Sequence, residues 1–135
     1  MTIRPLVLIA DDDPDILELV SVTLERDGYE VAQARNGQEA LRIAAERTVH
    51  LAVLDLMMPG IDGYEVTRRL RAVDAGHHLP ILILSAFAED RQAALALAAG
   101  ADAYMRKPFS PRDLLAKAGS LILDRRPRSR LAAQG

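Results

Sequence analysis

Short runs of consecutive apolar residues punctuate this chain at 6–10, at 51–54, at 81–84 and, more weakly, around Tyr104 and Met105. A strand that is apolar at every position has both faces buried, which is the pattern of a parallel sheet covered by helices on each side. Segments of helical spacing lie between the runs. Ile16, Val20 and Leu24 recur at intervals of four and end near Gly28, a helix stop, after which residues 31–34 can supply a further strand. Asn36-Gly37 is turn chemistry ahead of a helix carrying Ala40, Leu41 and Ala44; segments 64–73 and 90–99 give two more, the latter closed by Gly100. Ser110 as N-cap, Pro111 as first helical residue and Asp113 as capping-box acid open a last helix that runs to about Leu123 with Leu114, Leu115 and Leu121.

Strands alternating with helices in this way predict an α/β doubly wound sandwich with right-handed crossovers. At 135 residues there is room for one globular domain, expected over 1–124. Residues 125–135 turn basic, with Arg125, Arg126, Arg128 and Arg130 around Pro127, and are expected to be a linker stub or a disordered end. A formal net charge of -2 gives no overall pull toward nucleic acid or anionic membrane, so no direct nucleic-acid or membrane partner is expected. The absence of cysteine excludes disulfides, thiolate metal sites and thiol nucleophiles. No basic-then-apolar leader or membrane-length run is present in the sequence, and a cytoplasmic protein is expected.

Chemistry enters where the apolar runs end. Asp11 and Asp12 follow the first, Asp55 follows the 51–54 run, Ser85 closes the next and Lys107 the last. In open parallel sheets the carboxyl ends of the strands form the ligand crevice. Carboxylates forced together there raise one another's pKa unless a cation neutralises them. His50, His77 and His78 stand away from these strand ends, so the donors are hard oxygens, which favour Mg2+ over zinc or copper. A carboxylate beside such an ion can attack phosphorus while Lys107 neutralises phosphoryl oxygens, and Asp55 is the best-placed nucleophile. Taken singly, Asp11 to Asp13 could be a solvated helix cap, Asp55 a turn residue, Ser85 an N-cap, Lys107 a surface lysine, Tyr104 a packing residue and His77-His78 a solvated loop; only the joint placement favours a site.

Leu8-Ile9-Ala10-Asp11-Asp12-Asp13-Pro14, Leu54-Asp55-Leu56-Met57-Met58-Pro59-Gly60, Leu84-Ser85-Ala86 and Lys107-Pro108-Phe109 together resemble the receiver domains of two-component response regulators, the CheY-like superfamily, over roughly Pro5 to Leu123. The resemblance implies a flavodoxin-like (βα)5 fold with a five-stranded parallel sheet of order 2-1-3-4-5. It implies Mg2+ held by Asp11, partly through water, by Asp12 and Asp55, and by the backbone carbonyl of Met57, with Asp55 as phosphoacceptor. Ser85 would bond a phosphoryl oxygen, Lys107 would pair with the phosphate through a cis Lys107-Pro108 peptide, and Tyr104 would be the aromatic switch. A sensor histidine kinase or phosphotransfer protein would be the donor. The surface of the 90–99 helix, the following strand and the last helix would signal to a downstream protein or output domain. Met57 and Phe87, two residues beyond Asp55 and Ser85, are apolar and predict slow self-dephosphorylation.

Within that resemblance the domain catalyses only its own phosphorylation and dephosphorylation. Ala93, Ala103 and Asp124 weaken the charged pattern by which one branch dimerises, so a monomer or a weak phosphorylation-dependent dimer is expected. A degenerate receiver serving as a scaffold is an alternative, as is an aspartate-nucleophile phosphatase, although Met57 stands where those enzymes carry a second acid. A flavodoxin-type cofactor module would need a phosphate-cradling loop where Asp11 to Asp13 repel phosphate.

Overall fold

The computed structural model describes residues 4–73, 78–86 and 89–124. Its elements alternate as expected: β1 (Leu6–Ala10), α1 (Pro14–Arg26), β2 (Glu30–Ala34), α2 (Gly37–Glu46), β3 (Leu51–Leu54), α3 (Gly63–Val73), β4 (Ile81–Ser85), α4 (Asp90–Ala99), β5 (Ala103–Arg106) and α5 (Pro111–Leu123). The strands form one sheet of order β2-β1-β3-β4-β5, all pairs parallel.

The unbroken apolar runs are explained by what covers each face. Leu6, Leu8 and Ala10 of β1 join Ala52, Leu54, Ile81 and Ile83 in one core, sealed by Ala40 of α2, Val66 and Leu70 of α3 and Ala96 of α4. The intervening residues Val7, Ile9, Leu51, Val53, Leu82 and Leu84 build the opposite core with Leu17, Val20 and Leu24 of α1 and Leu114 and Ala118 of α5. Each such large side chain taken out of water contributes about 1.5–3 kcal/mol, so the central strands anchor the sheet. The edge strands bury less: β2 starts at Glu30, one residue before the sequence pattern suggests, and alternates toward solvent, while β5 is only partly covered.

Local chemistry sets the helix ends. Asp13 accepts from the Asp15 N–H at 2.9 Å with Pro14 as the first residue of α1, and Ser110 accepts from the Asp113 N–H at 3.0 Å with Pro111 opening α5. Asn36 caps α2 through the Glu39 N–H. Gly100 ends α4 at φ 118, a left-handed backbone that disfavours any residue with a Cβ.

One expectation is corrected at the amino-terminal edge of the sheet. His78 is not in a solvated loop: its side chain is 13% exposed and its Nε2 lies 3.1 Å from Asp102 Oδ1. Asp102 also accepts from Arg71 Nη2 at 2.6 Å and from the Ile81 N–H at 2.8 Å, so one carboxylate ties the end of α3 to the starts of β4 and β5. His77 and the basic segment 125–135 lie outside the described residues.

Candidate functional site

The residues that close the strands are fixed by their own backbones. The Asp11 N–H donates to Ala34 O at 3.1 Å, the Asp55 N–H to Ala10 O at 2.9 Å and the Lys107 N–H to Ser85 O at 2.7 Å. Each therefore extends the ladder one step past its strand and leaves little slack in the side chain's origin. Alternation along β1, β3 and β5 assigns Asp11, Asp55 and Lys107 to the face occupied by Val7, Ile9, Val53 and Met105. Ser85 follows Ile81 and Ile83 onto the other face, where Tyr104 packs, partly buried, as the register partner of Ile83.

At the crevice, ligand oxygens of Asp11, Asp12 and Asp55 all lie within 4.8 Å of one another. Asp11 and Asp55 are buried, at 2% and 7% exposure, and Asp12 is open to solvent. Lys107 Nζ donates to Asp11 Oδ2 at 2.7 Å and stands 3.5 Å from Asp55 Oδ1. The Lys107-Pro108 peptide is cis. The three adjacent aspartates after β1 divide their work: Asp13 caps α1, Asp11 accepts from the Asp13 N–H at 2.9 Å as well as from Lys107, and Asp12 is left for solvent or a ligand.

Electrostatics mark Asp55. Burial, then the neighbouring Asp11 charge, push its carboxyl up to about 6 from 3.8, against the lowering effect of Lys107. Burial works to lower the Lys107 ammonium, but the Asp11 hydrogen bond and the Asp55 charge outweigh it and raise its pKa. Among the described residues Lys107 is the cation in contact with these three carboxylates, which leaves their cluster short of positive charge. That deficit and an all-oxygen donor set fit a hard divalent cation, with Asp11, Asp12 and Asp55 able to hold it.

Ser85 is fully buried at the end of β4, and Met57 projects into solvent at 57% exposure. Phe87 lies outside the described residues. Sequence reasoning missed two supports. Gly63 packs so closely that a Cβ there would come 2.3 Å from Asp55 O and 2.8 Å from Leu56 Cα, while its N–H donates to Leu56 O at 2.8 Å. Asp62 caps α3 by accepting from the Glu65 N–H at 2.9 Å. Its signal, an Asp directly before Gly and a helical period, was available.

Residues 7–119 match the family described as the response regulator receiver domain. Over 116 residues the chain is 42% identical to the alkaline phosphatase synthesis transcriptional regulatory protein PhoP of Bacillus subtilis, covering 86% of this chain and 48% of that one. It is 40% identical over 116 residues to the phosphate regulon transcriptional regulatory protein PhoB of Pseudomonas aeruginosa, covering 86% and 51% respectively. The chain thus spans about half the length of these curated relatives. The crystal structure of a CheY-like response regulator receiver domain protein from Methanospirillum hungatei superposes with a TM-score of 0.85 at 32% identity, covering 91% of this chain and 97% of that one. The match spans all the elements from β1 into α5, and the sheet order is the one the resemblance required, so this chain belongs to the response regulator receiver domains of two-component signalling.

Proposed function

We propose that this receiver domain accepts a phosphoryl group on Asp55 in a Mg2+-dependent reaction and passes the signal on through α4, β5 and α5. The observation that supports this most is the buried Asp55 carboxylate, held among Asp11, Asp12 and Lys107 and raised to about 6 by burial and by Asp11. Asp11, Asp12, Asp55 and the Met57 carbonyl would hold the ion, which when bound neutralises the carboxylates and the phosphoryl oxygens. An Asp55 carboxylate oxygen attacks phosphorus; the bond from phosphorus to the donor nitrogen breaks, its electron pair stays on the donor, and imidazole leaves after taking a proton. Lys107, already 3.5 Å from Asp55, meets the charge on the transferred group.

The new group adds about two negative charges and acceptor oxygens at the crevice. Ser85 turns its hydroxyl to this group, and Tyr104, on the same face of the sheet, moves into the space behind it and alters the α4-β5-α5 surface. The donor is a sensor histidine kinase or phosphotransfer protein in the cytoplasm. The receiver is a monomer or a weak phosphorylation-dependent dimer, and residues 125–135 lead from the 1–124 domain as a linker or tail. A protein phosphorylated on histidine tests the reading: its label moves to the wild type and not to Asp55→Asn, and Tyr104→Ala accepts label but loses phosphorylation-dependent partner binding. A wild type that takes no label from any phosphohistidine donor is a scaffold, and one that continuously releases phosphate from small esters is a phosphatase.

A further inference from the structure

Arg35 is a further cation beside this crevice, with no part in the phosphoryl transfer proposed above. It follows β2 directly, one step beyond the Ala10–Ala34 register pair, and is therefore level with Asp11, just as Asp55 is level with Asp11 on the other side. Adjacent strands lie about 4.8 Å apart, so the Arg35 and Asp55 backbones are roughly 10 Å apart across β1. Alternation sends Arg35 to the face that Asp11 and Asp55 use, since Ala34 is buried in the opposite core. Its side chain lines an open cleft of about 400 Å³ with Asp12, Pro14 and Leu17.

Lys107 is committed to Asp11 at 2.7 Å and is largely covered, at 15% side-chain exposure. Arg35 is exposed, and among the described residues it makes no hydrogen bond or ion pair, not even with the neighbouring Asp12. An uncommitted guanidinium beside an acidic crevice is suited to an incoming anion, because its planar fork matches phosphate oxygens and its position offsets the repulsion that the aspartates exert.

Resting on the function proposed above, we infer that Arg35 is a donor-binding residue: it receives the anionic phosphodonor in the cleft beside Asp12 and guides the phosphoryl group toward Asp55. The cleft is large enough for a small acyl phosphate. Arg35 acts before transfer, on the donor, and leaves the acceptor and the ion site to the residues already named.

The test measures the second-order rate of Asp55 phosphorylation by acetyl phosphate at saturating magnesium for wild type, Arg35→Ala and Arg35→Lys, across a salt series. Losing one charge-assisted hydrogen bond lowers the rate in Arg35→Ala by about tenfold. Arg35→Lys recovers part of the loss, and the rate in Arg35→Ala depends less on salt than the wild-type rate. Magnesium affinity, measured separately, stays the same or tightens in Arg35→Ala, because a nearby positive charge has gone. An unchanged rate overturns the inference, as does a rate loss accompanied by weaker magnesium binding, which marks a structural role. A wild type that acetyl phosphate does not modify overturns the receiver chemistry itself.

Discussion

Lys107 Nζ sits 2.7 Å from Asp11 Oδ2 and is thus bonded more closely to a residue on β1's end than to Asp55, 3.5 Å away. The lysine braces the carboxylate cluster across the sheet and still reaches Asp55. It does not neutralise Asp55, whose carboxyl stays near 6 because burial and Asp11 outweigh it.

That balance predicts a pH-dependent cost of keeping Asp55. In the metal-free protein its pKa rises from 3.8 to about 6 on folding, so the folded state holds the proton more tightly than the unfolded chain. Below 3.8 both states are protonated and nothing is lost; stability then falls as pH rises toward 6 and the full penalty stands above it. Asp55→Asn is expected to gain about 1–2 kcal/mol near pH 7.5 and almost nothing near pH 3.5. Urea denaturation without metal measures this, and an equal gain at both pH values contradicts it. Magnesium should stabilise the wild type and narrow the difference.

Gly63→Ala should be destabilising by about 2–3 kcal/mol, because the new methyl meets backbone rather than a movable side-chain end. The displaced atoms belong to Asp55 and Leu56, so phosphorylation at Asp55, the proposed acceptor, should slow as well. Thermal denaturation together with phosphorylation rate checks both effects; wild-type behaviour in either would show that the 55–63 loop can shift freely.

The fold was legible wherever its cause was local. Apolar runs 51–54 and 81–84 marked strands covered on both faces, and Ser110-Pro111 marked the start of α5. The cluster of Asp11, Asp12, Asp55 and Lys107 could be read because each member follows a strand and the parallel sheet gathers strand ends. The edges were less legible: half-exposed β2 and β5 carry weak patterns. Contacts between residues far apart in sequence were not legible at all. Arg71 and Asp102 are separated by 31 positions, and no local pattern announces their 2.6 Å bond or the placement of His78 beside it.

Asp102→Ala removes an acceptor shared by Arg71, the Ile81 N–H and His78 at a site where the Asp102 side chain is only 8% exposed. A loss of about 3 kcal/mol is expected, as when one partner leaves a buried ion pair. Denaturant unfolding that changes by less than a third of this would mean that the three elements are held together by packing alone.

Met57, 57% exposed two residues beyond Asp55, can neither accept from nor orient a water as a polar side chain can. Met57→Asn should shorten the life of the phosphorylated form by about tenfold, a modest share of the gain a positioned polar group can supply. The decay of phosphorylated protein after donor removal reports it, and an unaltered lifetime would show that Met57 does not control hydrolysis.

The most direct test is intact mass after incubation with magnesium and acetyl phosphate, comparing wild type, Asp55→Asn and wild type with a chelator. One phosphoryl adduct is expected on the wild type, absent from Asp55→Asn and suppressed by the chelator. An adduct that persists in Asp55→Asn, or a wild type that stays unmodified, would contradict it.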